Sequence, residues 1–308
     1  MARVHFIVGC TASGKAPVAR ELARRLGGQI VSVDSMKVYR RMDIGTAKPD
    51  AATRAEIPHH CIDIVEPSEH FSVARYVEHA DRAIERIASA GDVVLAAGGT
   101  GLYAKALSEG LFEGPGADAE LRARLQARAQ REGLAALHAD LARADPQAAE
   151  RIHPNDEKRI VRALEVHELT GEPISALQRQ WGSSAPRHDC VFIGVRRDKA
   201  DINARINARV RRMVEQGLRD EVAGLLAEPA GLSRQAAQAL GYAEMIDHLR
   251  GRCTLDEAVE RIKINTRQFA KRQRTWFRRF PNVNWIDVEP DAPPGAAAEA
   301  ATAYIDTR

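Results

Sequence analysis

Short apolar runs alternate with segments of helical period along the first hundred residues. Val4-His5-Phe6-Ile7-Val8 is continuous, brief and followed by a glycine turn, so it reads as a buried strand. Val18, Leu22 and Leu26 then recur every four residues, the spacing of one helical face. Gln29–Asp34 and Cys61–Val65 read as further strands, Tyr76, Ala80, Ile84 and Ile87 mark an amphipathic helix, and Asp92–Ala97 is another buried strand. Such alternation predicts a parallel sheet with helices on its faces. After Gly114-Pro115-Gly116 the pattern changes to Ala, Arg, Glu and Leu at helical spacing, without a strand signal, through about Trp181. Strand texture returns at Cys190–Val195 and at Asn284–Val288. The expected organisation is therefore α/β with a discontinuous core: residues 1–114, an inserted all-helical domain at 115–186, and 187–308. The Pro- and Ala-rich tail beyond Val288 carries no signal, and no internal repeat is present.

Composition narrows the class. A chain of 308 residues can bury a sizeable core, and no window approaches the ~18 consecutive apolar residues of a membrane span. The first strand starts too soon to leave room for a signal peptide, so the cytoplasm is the expected compartment. Cys10, Cys61, Cys190 and Cys253 form no CxxC pair, which suggests neither a zinc site nor a disulfide framework. A net charge of +3 does not by itself argue for nucleic acid. Its distribution does: between Arg261 and Phe280 stand eight Lys or Arg, Arg267, Lys271 and Arg272 among them, and no Asp or Glu. Ile262, Phe269, Trp276 and Phe277 are interleaved, so a helix here can pack on the core and present charge to RNA or DNA. A membrane-surface or merely solvated helix is the blander reading.

The sharpest local signal is Gly9-Cys10-Thr11-Ala12-Ser13-Gly14-Lys15-Ala16, between the first strand and the first helix. That context makes a GxxxxGK[ST] match a phosphate loop, because loop amides and a helix N-terminus converge on one anion. The core is thus read as P-loop NTPase-like. Ala16 departs from the motif, whose Ser or Thr hydroxyl ligates Mg²⁺. Asp34 ends the second strand, on the sheet edge where such folds bind ligands; an N-cap or turn aspartate is the alternative. The fourth strand ends in Gly98-Gly99-Thr100-Gly101, with no Walker-B carboxylate. Two glycines there allow close backbone approach, and Thr100 offers a hydroxyl at a helix start. In His153–Arg162, Asn155 or Asp156 caps a helix carrying Lys158, Arg159 and Arg162 in its first turns, where cations oppose the helix dipole and suit an external anion or a solvated face. Arg205, Arg209 and Arg212 share one helical side, a salt-bridged surface or an anion clamp, and taken alone the pattern favours surface.

Together these residues closely resemble the bacterial tRNA dimethylallyltransferases, also called tRNA isopentenyltransferases. The likeness runs nearly end to end, through the phosphate loop, Asp34–Tyr39, Ile44–Pro49, His59-His60, Gly98–Tyr103, His153–Asp156, Arg162–Val166, Gly241-Tyr242, Thr266-Arg267, Lys271–Gln273 and Thr275–Phe277. Ala16 replaces the family's usual Ser or Thr, and Lys37 its usual Gln. The resemblance implies transfer of a dimethylallyl group from dimethylallyl diphosphate to N6 of the adenosine 3′ of the anticodon, by a monomer. It implies that Gly9, Thr11, Ala12, Ser13, Gly14, Lys15 and Ala16 hold the diphosphate. Asp34 would act as general base, with Thr100 orienting the reactants and Lys15 and Arg209 stabilising the leaving group. tRNA contacts are implied for Asp34, Ser35, Met36, Lys37, Thr100, Arg122, Lys158, Arg159, Ile160, Val161 and Arg162. The basic residues Arg267, Lys271 and Arg272 would meet the RNA backbone. Mg²⁺ is expected between diphosphate oxygens, held partly by water. A small-molecule P-loop kinase, in which Lys15 would hold ATP phosphates, explains the loop but not the basic stripe. A non-catalytic RNA-binding protein would not need Asp34, Lys15, Thr100 and Arg209 together.

Overall fold

The computed structural model describes residues 1–111, 114–178 and 187–305. Strands β1 (Arg3–Val8), β2 (Gly28–Val33), β3 (His59–His60), β4 (Val93–Gly98), β5 (Asp189–Arg196) and β6 (Val283–Asp287) form one sheet in the order β3-β2-β4-β1-β5-β6. Every neighbouring pair is parallel. β1 lies inside the sheet and is covered on both faces, which is why Val4–Val8 is buried without alternation, His5 included. Val8 aligns with Gly98 of β4 and Gly194 of β5, and Val33 of β2 also aligns with Gly98. The carboxyl ends of β1, β2 and β4 therefore finish level, β5 runs two residues further, and the loops beyond them open on one edge.

The two faces follow from strand alternation. Ile7 and Ile193 point to one side, where Val18 and Leu22 of the helix Lys15–Leu26 pack on them. The helix Pro294–Thr302 completes that layer by burying Ala297, Ala298 and Ala301, so the tail that carried no sequence signal is part of the core. Phe6 and Phe192 point to the other side and stack at 4.6 Å. Phe280 meets Phe192 at 5.3 Å and Phe277 at 5.6 Å, which fastens the end of the long helix Leu255–Phe277 to the sheet.

The strand expected at Cys61–Val65 is corrected. Cys61 and Asp63 adopt positive φ of 60° and 54°, which a strand cannot hold, and pairing with β2 falls instead on His59 and His60. Lys48 fastens the irregular segment, reaching Asp63 and Asp43 at 2.6 Å each.

The chain divides into two compact units, one made of Met1–Ser108 with Pro186–Arg308 and the other of Glu109–Ala185. The described part of the second is helical: Ala119–Glu132, Leu134–Ala144, Pro146–Arg151, Glu157–Thr170 and Ile174–Leu177. Asp118, Asp145 and Asp156 cap three of these helices through their side chains. Leu121, Leu137, Leu141, Ile160 and Leu164 give the unit a core of its own. Trp181, the expected end of the helical texture, lies outside the described residues. Among the described residues no helix is long and apolar enough to cross a membrane.

Candidate active site

The phosphate loop owes its shape to a few backbone positions. A Cβ on Gly9 would sit 2.6 Å from the Val195 carbonyl oxygen, so only glycine lets the loop leave β1 there. Ala12 (φ 65°) and Gly14 (φ 95°) turn left-handed, and the helix begins at Lys15 with its first amides unpaired within the helix. The loop carbonyls are occupied by cations. Arg197 Nε donates to Ser13 O at 2.9 Å, Arg205 Nε to Ala12 O at 3.0 Å and Lys15 Nζ to Cys10 O at 3.1 Å. Thr11 N is bonded to Gln273 and Ser13 N to Cys10 O, so the Gly14, Lys15 and Ala16 amides at the helix start are the ones left for an anion.

The helix Lys199–Glu215 contributes Arg205, Arg209 and Arg212 to a cavity of about 540 Å³, shared with Lys15, Lys37 and the loop. Arg205 and Arg209 bond the loop rather than a carboxylate, and all three arginines line this cationic chamber, Arg212 from an exposed position. Arg209 donates to Thr11 Oγ1, while its Nε is shielded from solvent and has no partner among the described residues. Burial pushes the Lys15 ammonium down to about 8 and also lowers Lys37 and Arg209. Asp34 is the one carboxylate facing these cations in the chamber, among the described residues.

A second cavity of about 360 Å³ adjoins the first and shares Thr11, Asp34, Thr46, Ala47 and Arg209 with it. Val210, Met213, Ile262 and Phe269 give it an apolar wall. Asp34 is the one acidic residue lining either cavity among the described residues. Its Oδ1 accepts from the Met36 and Lys37 amides at 2.9 and 3.3 Å, so it is a turn aspartate that keeps Oδ2 free of such bonds. Thr100 Oγ1 accepts from Ser35 N at 3.1 Å and ties that turn to the end of β4.

Two residues that sequence reasoning missed hold these pieces together. Gln273, buried on the long helix, accepts from Thr11 N at 2.8 Å and donates to Gly99 O at 2.8 Å. Its signal was its spacing: Thr266, Ala270, Gln273 and Phe277 share the buried face of an otherwise basic helix. Glu221 accepts from the Asp43, Ile44 and Gly45 amides and from Tyr242 Oη, at 2.9, 2.8, 3.2 and 2.6 Å. It anchors the Gly45–Ala47 loop that lines the apolar cavity. No sequence pattern marked it.

The RNA candidates fall in several environments. Ser35 and Met36 line the apolar cavity beside Arg272, whose guanidinium lies 5.8 Å from the Phe269 ring centroid. Lys271, Arg274 and Arg278 border a separate cavity of about 440 Å³ with Phe277 and Trp285. Arg267 donates to Asn207 at 2.7 Å. In the helical unit, Arg122 and Arg162 grip the buried Glu165 carboxylate at 2.8 and 2.6 Å. Burial alone would raise the Glu165 pKa, but bonds from both arginines and the Asp118 amide outweigh it and hold it low. Asp156, the N-cap, also pairs with Arg159 at 2.8 Å, and Lys158 is exposed. Ile160 and Val161 are only 0% and 3% exposed, and their side chains belong to the unit's core.

The donor set is a poor match for Mg²⁺ ligated directly by protein. Position 16 carries no side-chain oxygen, the lone carboxylate commits one oxygen to its own turn, and no metal-holding cluster of His, Cys, Asp and Glu occurs among the described residues. What the fold and site define is a P-loop-like α/β protein in which a cation-lined chamber adjoins an apolar one.

The comparisons make that class specific. The family model described as IPP transferase matches residues 37–280. The chain is 48% identical to the tRNA dimethylallyltransferase of Geobacter metallireducens over 285 residues, 92% of each chain. It is similar to the full-length tRNA isopentenylpyrophosphate transferase of Bacillus halodurans, with 40% identity and a TM-score of 0.72 over 98% of this chain and 95% of that one. A eukaryotic dimethylallyltransferase acting on tRNA gives a TM-score of 0.76 at 26% identity, over 93% of this chain and 74% of its own. The chain belongs to the IPP transferase family.

Proposed function

We propose that this protein transfers the dimethylallyl group of dimethylallyl diphosphate to N6 of the adenosine immediately 3′ of the anticodon in tRNA, giving N6-isopentenyladenosine and diphosphate. The observation that carries this reading is the seam: Asp34, Thr11 and Arg209 line both the cationic chamber and the apolar one. Diphosphate in the first leaves the allylic carbon at the seam, and the adenine meets it from the second. An adenine stacked in an anticodon loop must be flipped out to do so, at a cost of a few kcal/mol. N6 then attacks the allylic carbon, the carbon–oxygen bond breaks, and its electron pair leaves with diphosphate. The N6 proton passes to Asp34 Oδ2. Lys15, Arg209 and the amides near Ser13 and Gly14 stabilise the charge that develops on the leaving group. Thr11, oriented by Arg209, and Thr100, fixed by Ser35 N–H, position the reactants. Lys158, Arg159 and the basic helix hold the RNA, and such work belongs in the cytoplasm. Mg²⁺, for which the chamber's side chains are a poor match as direct ligands, would supply charge neutralisation to the leaving diphosphate if it bound. A kinase is disfavoured because β4 ends in glycine and position 16 in alanine, so both expected metal ligands are missing.

The test follows label from dimethylallyl diphosphate into an anticodon stem-loop, beside an ATP-consumption assay. Transfer without ATP use is expected. Asp34→Ala should reduce transfer by about 10²-fold or more, with stem-loop affinity changed by less than about threefold; near-normal turnover would remove Asp34 as the base.

A further inference from the structure

Two features of the phosphate chamber belong together. Ala16 removes the hydroxyl with which a phosphate loop ligates Mg²⁺. Lys37, from the turn after β2, lines the same chamber as Ala16 and Lys15. Its backbone amide bonds Asp34 Oδ1 at 3.3 Å, which fixes where the side chain departs. Burial lowers its pKa, and Arg209, Arg20 and Lys48 repel its charge while Asp34 favours it. Lys48, by contrast, is fully engaged by Asp43, Asp63 and the Tyr39 carbonyl. Lys37 has no such ion pair among the described residues. Lys15, Lys37 and Arg209 are each partly buried around one cavity, an arrangement that repels itself when empty and suits a multiply charged anion.

We infer that Lys37 performs the charge neutralisation that a Mg²⁺ ion ligated at position 16 would otherwise provide, so that this chain binds the diphosphate of its substrate without a metal. The inference rests on the reading of the chamber as a diphosphate site. An ammonium is a compact charge with three donors, able to bridge phosphate oxygens. Held on the chain, it avoids the reluctant dehydration of Mg²⁺. Lys37 makes no bond change in the reaction; it binds the diphosphate before and after the allylic bond breaks.

The experiment titrates inorganic pyrophosphate into wild type, Lys37→Gln, Lys37→Arg and Lys37→Gln/Ala16→Ser by calorimetry, once with EDTA and once with Mg²⁺. Wild-type affinity with EDTA should lie within about threefold of that with Mg²⁺, and Lys37→Gln should lose about tenfold or more with EDTA, the weight of a charge-assisted hydrogen bond. Lys37→Arg should keep most of the affinity, and the double variant should recover it only with Mg²⁺. A wild type that loses about tenfold or more in EDTA, or Lys37→Gln binding as tightly as wild type there, overturns the inference. The wild-type comparison decides even if a variant fails to fold. Dimethylallyl transfer by the same preparations separates the two levels: transfer with metal-dependent pyrophosphate binding sinks the inference alone, whereas wild type that neither transfers nor binds pyrophosphate removes the reading beneath it as well.

Discussion

An ammonium kept from water among other cations gives up its proton more readily, and burial pushes Lys15 down to about 8 from its ordinary 10.5. Cys10 and Asp34 favour its charge, while Lys37 and Arg209 oppose it. Between about 8 and 10.5 the unfolded chain binds more protons at this residue than the folded one, so its contribution to stability rises with pH across that window. Diphosphate binding has the opposite sign. The anion favours the protonated ammonium, so a proton is taken up on binding near pH 8 and affinity falls as pH rises above it. Pyrophosphate calorimetry at that pH in two buffers of different ionisation enthalpy reads the uptake, which Lys15→Met should diminish; equal heats in both buffers would refute the linkage. Lys15 was legible in the sequence because its motif is local. Lys37 was legible only as a departure from the family and an implied RNA contact, because its place in the chamber depends on how the turn after β2 folds back over the phosphate loop.

The same limit governs elements. The glycines after β4 announce that something approaches closely, and only the fold shows what does. A Cβ on Gly98 would stand 2.0 Å from the Val33 carbonyl oxygen, and one on Gly101 would stand 2.1 Å from Cδ1 of Trp276 on the long basic helix. The first neighbour is backbone and cannot yield; the second is a side chain that is 37% exposed and can. Gly101→Ala should therefore cost about 1–3 kcal/mol by urea denaturation, the range of overpacking. Adding Trp276→Ala should restore much of that loss, a coupling beyond about 0.5 kcal/mol in a double-mutant cycle. Strict additivity would mean that the helix does not lie against the glycine. Elements with strong periodicity, such as the helix Val73–Ser89, were legible for the converse reason, since their buried positions are written in their own spacing. β3 and the helix Pro294–Thr302 were not. One depends on positive φ at a cysteine and an aspartate, and the other on three small alanines that become a core face only when the sheet is there to receive them.

At the scale of the whole molecule, the change of texture after Gly116 signals an insertion, and the backbone explains how the core tolerates it. Arg187 N donates to Ser108 O at 3.2 Å, so the chain leaves the sheet-bearing unit and returns to it at one point. The sheet, the phosphate loop, Asp34 and Gln273 all belong to that unit, whereas Arg122, Lys158, Arg159 and Arg162 belong to the other, which has its own hydrophobic core. The proposed diphosphate site and part of the proposed RNA surface therefore lie on separate units of the chain. Replacing residues 109–186 by a short Gly/Ser linker should leave a cooperatively folded protein, because the two ends already meet and no strand is lost. It should bind pyrophosphate within about threefold of the full chain while its anticodon stem-loop affinity falls by about tenfold or more, once the helical unit's cations are gone. Calorimetry and stem-loop titration at one fixed salt concentration measure both. A shortened chain that folds yet no longer binds pyrophosphate would show that the phosphate chamber depends on the insertion, whereas unchanged stem-loop affinity would assign RNA recognition to the basic helix alone.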